Sequence, residues 1–176
     1  MKWITRILVL SFVLGAVVSC RDRQPETPLN YEQVRKDLME MNRVKAEQES
    51  VRLADFVKEE KWDAIRTGTG VYIEIYLKQD STLPKAKKEQ LAKVNYELRL
   101  LDGTLCYSTV AEGPESFRIG LDDVETGLHE GITYMRVGEK AKILIPSFLA
   151  HGFTGDQNKI PQDSPIIYDI ELLDLR

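Results

Sequence analysis

Four segments between residues 71 and 172 of this 176-residue chain alternate apolar and polar side chains with a period of two. Val71, Ile73, Ile75 and Leu77 alternate with Tyr72, Glu74, Tyr76 and Lys78, and Val94, Tyr96, Leu98 and Leu100 repeat the pattern. Ala141, Ile143 and Ile145 form another segment, and Ile166, Tyr168, Ile170 and Leu172 form the last. Successive side chains of a strand point to opposite faces, so each segment offers one apolar face to a core. Asp102-Gly103 is a strong hairpin-turn signal, Phe117 and Ile119 suggest a further short strand, and residues 79–90 are polar and Lys-rich, as in a loop. Val124, Leu128 and Ile132 recur every four residues, which predicts a short helix over 123–131. Asp122-Asp123 is expected to begin that helix, where carboxylates meet the positive end of its dipole. The sum is an α+β domain: an antiparallel sheet with one short helix covering its apolar face.

Upstream, residues 31–62 contain no Pro or Gly and are rich in Glu, Lys, Gln, Met and Ala. Tyr31, Val34, Leu38, Met41 and Val44 fall at helical spacing, and Val51, Leu53, Phe56 and Val57 continue it less regularly. The pattern predicts one long helix, or two with a break near residues 48–50, with Asn30 as N-cap. Such a helix can pack on the domain, space it from a membrane, or join two copies of the chain as a homodimer through its apolar stripe.

The first residues have another character. Lys2 and Arg6 precede twelve uncharged residues, Ile7 to Val18. That run is shorter than the roughly 20 residues a spanning helix needs. With a small residue before the cleavage point, it describes a secretory signal peptide over residues 1–19. Val17-Val18-Ser19-Cys20 resembles the bacterial lipobox, which implies that Cys20 is acylated and becomes the mature N-terminus. Buried acyl chains add about 0.8 kcal/mol per CH₂, so several on one Cys hold a protein at a membrane. Residues 20–30, with Pro25 and Pro28, read as the lipidated Cys and a tether. The expected location is the bacterial cell envelope, at the outer membrane facing the periplasm.

Only Cys106 then remains in the mature chain, so no internal disulfide supports the fold. Taking Lys2 and Arg6 from the 24 basic residues leaves 22 against 28 acidic ones. A net charge of that sign argues against nucleic acid as a partner. His129-Glu130 lacks the second His four residues on that a zinc-protease motif requires, since Thr133 stands there. Two His and one thiol leave little for a metal site, and no Gly-rich phosphate loop or G-x-S-x-G motif is present, so no cofactor is expected.

Motifs in series resemble the FKBP family. Val94-Asn95-Tyr96 with Asp102-Gly103 resembles its V-H-Y…D-G, and Phe117-Arg118-Ile119-Gly120 its F-x-L-G. The stretch from Val124 to Gly131 resembles V-I-x-G-W-x-E-G, and that from Met135 to Ala141 resembles M-x-V-G-x-K-A. Ala150-His151-Gly152 with Ile160-Pro161 resembles A-Y-G…I-P, and the stretch from Tyr168 to Leu173 resembles F-D-V-E-L-L. The likeness covers roughly residues 67–176 and, with the helical lead over 31–66, is similar to the bacterial lipoprotein branch. It implies an FKBP-like twisted antiparallel sheet wrapped around a short helix, and a peptidyl-prolyl cis-trans isomerase acting on Pro-containing clients.

Carried over by position, the resemblance implies a pocket of Tyr96, Tyr107, Val124, Glu125, Leu128, His151, Ile160 and Tyr168. Tyr96, Val124, Ile160 and Tyr168 match the family or come close. Elsewhere the chain departs from it. The Phe-Asp pair after the turn is Cys106-Tyr107, the floor Trp is Leu128, and a wall aromatic is Glu115. The Ile that offers a backbone N–H is Glu125, and the loop Tyr donor is His151. These departures leave a second reading open, a weak or inactive peptide-binding module or chaperone. A third is a lipoprotein that uses its helix as an assembly surface.

Overall fold

The computed structural model describes residues 30–176. The signal peptide, Cys20 and the tether up to residue 29 lie outside the described residues. The chain divides into two compact units after Glu40. In residues 30–40, helix α1 (Tyr31–Glu59) begins with every residue exposed. Asn30 Oδ1 accepts the Gln33 N–H at 3.3 Å, the N-cap read from the sequence. The helix is continuous, with no break at residues 48–50. Among the described residues no helix is long and apolar enough to cross a membrane.

The unit Met41–Arg176 is built on strands β1 (Ile65–Arg66), β2 (Tyr72–Leu77), β3 (Leu91–Leu100), β4 (Leu105–Ser108), β5 (Glu115–Arg118), β6 (Lys140–Ile145) and β7 (Ile166–Leu175). Their order is β1-β2-β6-β7-β3-β4, with β5 also on β3, and every pairing is antiparallel. The Asp102-Gly103 hairpin joins β3 to β4. Gly103 has a φ of 87°, and the Thr104 N–H bonds Asp102 Oδ1 at 2.9 Å.

Period-two alternation sorts the side chains between two faces. Val71, Ile73, Ile143, Ile145, Ile166, Ile170 and Leu172 are buried on the face that helix α2 (Thr126–Ile132) covers, with Leu128 and Ile132 of that helix. The other face is not simply solvated. Tyr72, Leu144 and the half-buried Ile167 pack there against Leu53, Phe56 and Val57 of α1 and against Trp62. Tyr72 is therefore a core residue, although the alternation reads it as outward-facing. A register shift between Ile75 and Leu77 leaves Leu77 exposed at the end of β2.

Helix α2 starts later than the spacing suggests. Asp122 and Asp123 precede it, and no acidic residue lies in its first turn. Asp122 instead accepts the Arg118 N–H at 2.7 Å through Oδ2 and the Val124 N–H at 3.0 Å through its carbonyl. His129 closes the same turn: Nδ1 accepts the Gly120 N–H at 2.8 Å, and Nε2 lies 3.0 Å from the Asp122 carbonyl. Those bonds compete with helix geometry, and Glu125 (φ −58°, ψ 136°) marks the boundary.

Two glycines let α2 lie close on β6. A Cβ on Gly127 would collide with Ile145, and one on Gly131 would come within 2.6 Å of Ile143 Cγ2. Gly131→Ala is expected to cost about 1–3 kcal/mol through overpacking. The check is a lower urea midpoint with an unchanged denaturant slope.

Candidate functional site

The site is assembled from β3, β4, α2, β7 and the loop between β6 and β7. Tyr168 enters from β7 and is 4% exposed, with Leu128 of α2 and Ile160 of the loop buried beside it in the same core. Tyr96, Tyr107 and Val124 are half-buried against that core. The Tyr96 and Tyr168 rings meet edge to face with centroids 5.2 Å apart. Of the positions implied by the sequence, six fall in this cluster, Glu125 bonds to it through Tyr168, and His151 pairs with Glu125.

Its polar half was not legible in advance. The Tyr168 hydroxyl donates to Glu125 Oε2 at 2.9 Å, and His151 Nε2 lies 2.9 Å from Glu125 Oε1. The side chain of Glu125 is only 9% exposed, so both oxygens of a nearly buried carboxylate have partners. Burial first, then the Glu125 charge, pushes the Tyr168 hydroxyl well above the ordinary tyrosine range and keeps it a donor. Tyr96 is raised by burial and by Glu115, whose Oε2 accepts its hydroxyl at 3.2 Å. Glu125 stands just outside α2, and its backbone N–H makes no hydrogen bond among the described residues.

A second network replaces the missing Phe-Asp pair. Cys106 is buried in the core, and burial pushes its thiol up. Tyr107 donates its hydroxyl to Asp156, which also accepts the backbone N–H groups of Asn158 at 2.9 Å and Ile160 at 2.7 Å. Lys159 donates to the Cys106 carbonyl at 2.8 Å and stands 4.8 Å from the centre of the Tyr107 ring. The available signal was local: an Asp two residues before an Asn and four before Ile160, the spacing of an Asx turn.

Beside His151 a cleft of about 780 Å³ is lined by Lys45, Glu49 and Arg52 of α1 and by Phe148, Phe153 and Asp163. Glu49 accepts the Ser147 N–H at 2.6 Å and its hydroxyl at 2.7 Å, and Lys45 pairs with Asp163 at 3.2 Å.

Residues 83–173 match the model of the FKBP-type peptidyl-prolyl cis-trans isomerase family. The chain belongs to that family. Among FKBP relatives, FK506-binding protein 2 of Dictyostelium discoideum is 37% identical over 102 residues, covering 57% of this chain and 77% of its own. Peptidyl-prolyl cis-trans isomerase FPR2 of Saccharomyces cerevisiae is 37% identical over 99 residues, 55% of this chain and 73% of its own. The crystal structure of FkpA from Escherichia coli superposes with a TM-score of 0.63 at 23% identity, covering 97% of this chain and 82% of that one. This likeness supports an FKBP-like sheet and short helix preceded by an N-terminal helix.

Asp156 supplies a pH signature for this FKBP loop. Burial opposes its ionised form, but bonds from Tyr107, Asn158 and Ile160 outweigh burial and hold its carboxyl below the usual range. A folded-state pKa below the unfolded one adds stability that is present above the unfolded value and lost as pH falls through the folded one. Asp156→Asn is therefore expected to lower the urea midpoint near neutral pH, and the gap from the parent to narrow below about pH 4.

Proposed function

We propose that this protein is an active peptidyl-prolyl cis-trans isomerase that assists folding of Pro-containing polypeptides at the bacterial cell envelope. The observation that carries this reading is the meeting of Tyr96, Tyr168, Leu128, Ile160 and Val124 in one cluster beside the uncommitted Glu125 N–H. Rotation of an X–Pro amide must break resonance across a barrier of about 18–20 kcal/mol. An apolar surround disfavours the polar planar amide relative to the twisted, less dipolar transition state. A fixed backbone donor stabilises that state further, as differential binding without covalent chemistry.

The envelope location rests on the sequence of residues 1–20, with a lipid on Cys20 as the membrane attachment. A homodimer through α1 belongs to the same reading. It is supported by Tyr31, Val34, Leu38, Met41 and Val44, all exposed along that helix. Changing Leu38 and Met41 together to Glu is expected to convert a sedimenting dimer to monomer.

One observation favours the second reading, a binding module with slow turnover. Glu125 and Glu115 bring two carboxylates to tyrosines of the pocket, and charge works against a mechanism that depends on desolvation. Proline-limited refolding separates the two. The isomerase reading expects acceleration at micromolar protein, lost on Tyr168→Ala. Retained binding of an unfolded Pro-rich client without acceleration would leave the module.

A further inference from the structure

The cleft of about 780 Å³ between α1 and the β6–β7 loop shares a wall with the candidate pocket. Ala150 and His151 line the cleft. Ala150 also packs against the apolar core that holds Ile160 and Tyr168, and His151 pairs with Glu125 at 2.9 Å. An extended chain advances about 3.3–3.6 Å per residue, so one seated in the pocket reaches the cleft within a few residues.

The cleft is held open by bonds at its edges. Its helical side is one face of α1, where Asn42, Lys45, Ala46 and Glu49 recur three, four and seven residues apart. Glu49 accepts the amide and hydroxyl of Ser147 at 2.6 and 2.7 Å, and Lys45 pairs with Asp163 at 3.2 Å. The Asp163 N–H donates in turn to the Gly152 carbonyl at 2.8 Å. These ties fix helix and loop without filling the space between them, so a ligand finds the cleft preformed. The fold leaves its recognition groups unused. Phe148 is 53% exposed and Phe153 77%, and neither ring meets another aromatic among the described residues. Lys45, Glu49 and Asp163 have partners, whereas Arg52 has none among the described residues. Exposed aromatic rings gathered at a cleft mark a binding surface, and a free guanidinium selects a carboxylate by two parallel hydrogen bonds.

We propose that this cleft is a second docking site for the client polypeptide, taking a large apolar side chain against Phe148 and Phe153 and an acidic one on Arg52 while the proline occupies the pocket. It rests on the isomerase reading and adds a selection for what flanks the proline. The occupant is an unfolded chain, because large apolar side chains are bare there and buried in a folded partner. Once the proline is seated, the flanking contact is intramolecular. Weak contacts in the cleft then raise the affinity for long clients and leave short ones unaffected.

Labelled peptides test this on the full chain, by fluorescence anisotropy for affinity and by kcat/KM for turnover. One is a short Pro peptide, and the others extend it on both sides with Leu and Glu, with Leu and Lys, or with Ser and Glu. The Leu–Glu peptide is expected to bind roughly tenfold more tightly than the short one, the scale of a single anchoring aromatic contact. Phe148→Ser combined with Phe153→Ser should bring it down to the Ser–Glu level while short-peptide turnover stays as in the parent. Arg52→Glu should make the Leu–Lys peptide the tighter binder, and this reversal decides the outcome if the Phe variant has a lowered urea midpoint. Equal affinity for all the peptides, or a parallel loss for all of them in the variants, overturns the proposal. So does a concentration-dependent oligomer that the Phe variant dissolves, since a second copy would then fill the cleft. Absence of turnover with every peptide defeats the isomerase reading instead, and anisotropy still decides the cleft.

Discussion

The close approach of α2 to β6 is the constraint on which the site depends. Gly127 and Gly131 leave room for Ile145 and Ile143, so at those points only the two isoleucine side chains stand between helix and sheet. That contact sets the depth of Leu128 in the core and the place of Val124 and Glu125 at the head of the helix. Tyr168 arrives from β7, directly opposite Ile143 in the ladder, and so meets Glu125 from the sheet side. A helix held one methyl group further out would separate the tyrosine from its carboxylate.

Glu125 shows how a pocket can keep its outline while its chemistry changes. In an apolar cluster a lone carboxylate would be costly. Here a phenol and an imidazole satisfy both of its oxygens. The same compensation recurs on the β4 side, where Tyr107, Asp156 and Lys159 bridge strand and loop around a buried thiol. The polar departures from the family pattern have partners elsewhere in the chain: Glu125 with Tyr168 and His151, Glu115 with Tyr96, and Tyr107 with Asp156.

The apolar half of this site was legible in the sequence because it obeys periodicity. Leu128 is set by helical spacing, Tyr96 and Tyr168 by strand alternation. The polar half depends on contacts between residues far apart in the chain, such as Tyr107 with Asp156 and Glu125 with Tyr168, and no local pattern encodes those. The start of α2 was misplaced for a related reason. Asp122 suits a helix start by composition, but the Arg118 amide and the His129 ring hold it in a turn. Tyr72 was misjudged because alternation tells the two faces of a sheet apart without telling which of them is covered. The cover is Leu53 and its neighbours on α1, more than ten residues upstream in an irregular part of the apolar pattern.

Glu49 sets a limit on where this protein can be cut. Ser147 is 5% exposed, and its amide and hydroxyl both end on that one carboxylate. A fragment beginning at Thr67 would retain every strand from β2 onward, yet it would strand two donors at the foot of the segment that carries His151. It would also bare Tyr72 and Leu144. The autonomous piece, for expression or for grafting onto another protein, therefore includes the second half of α1.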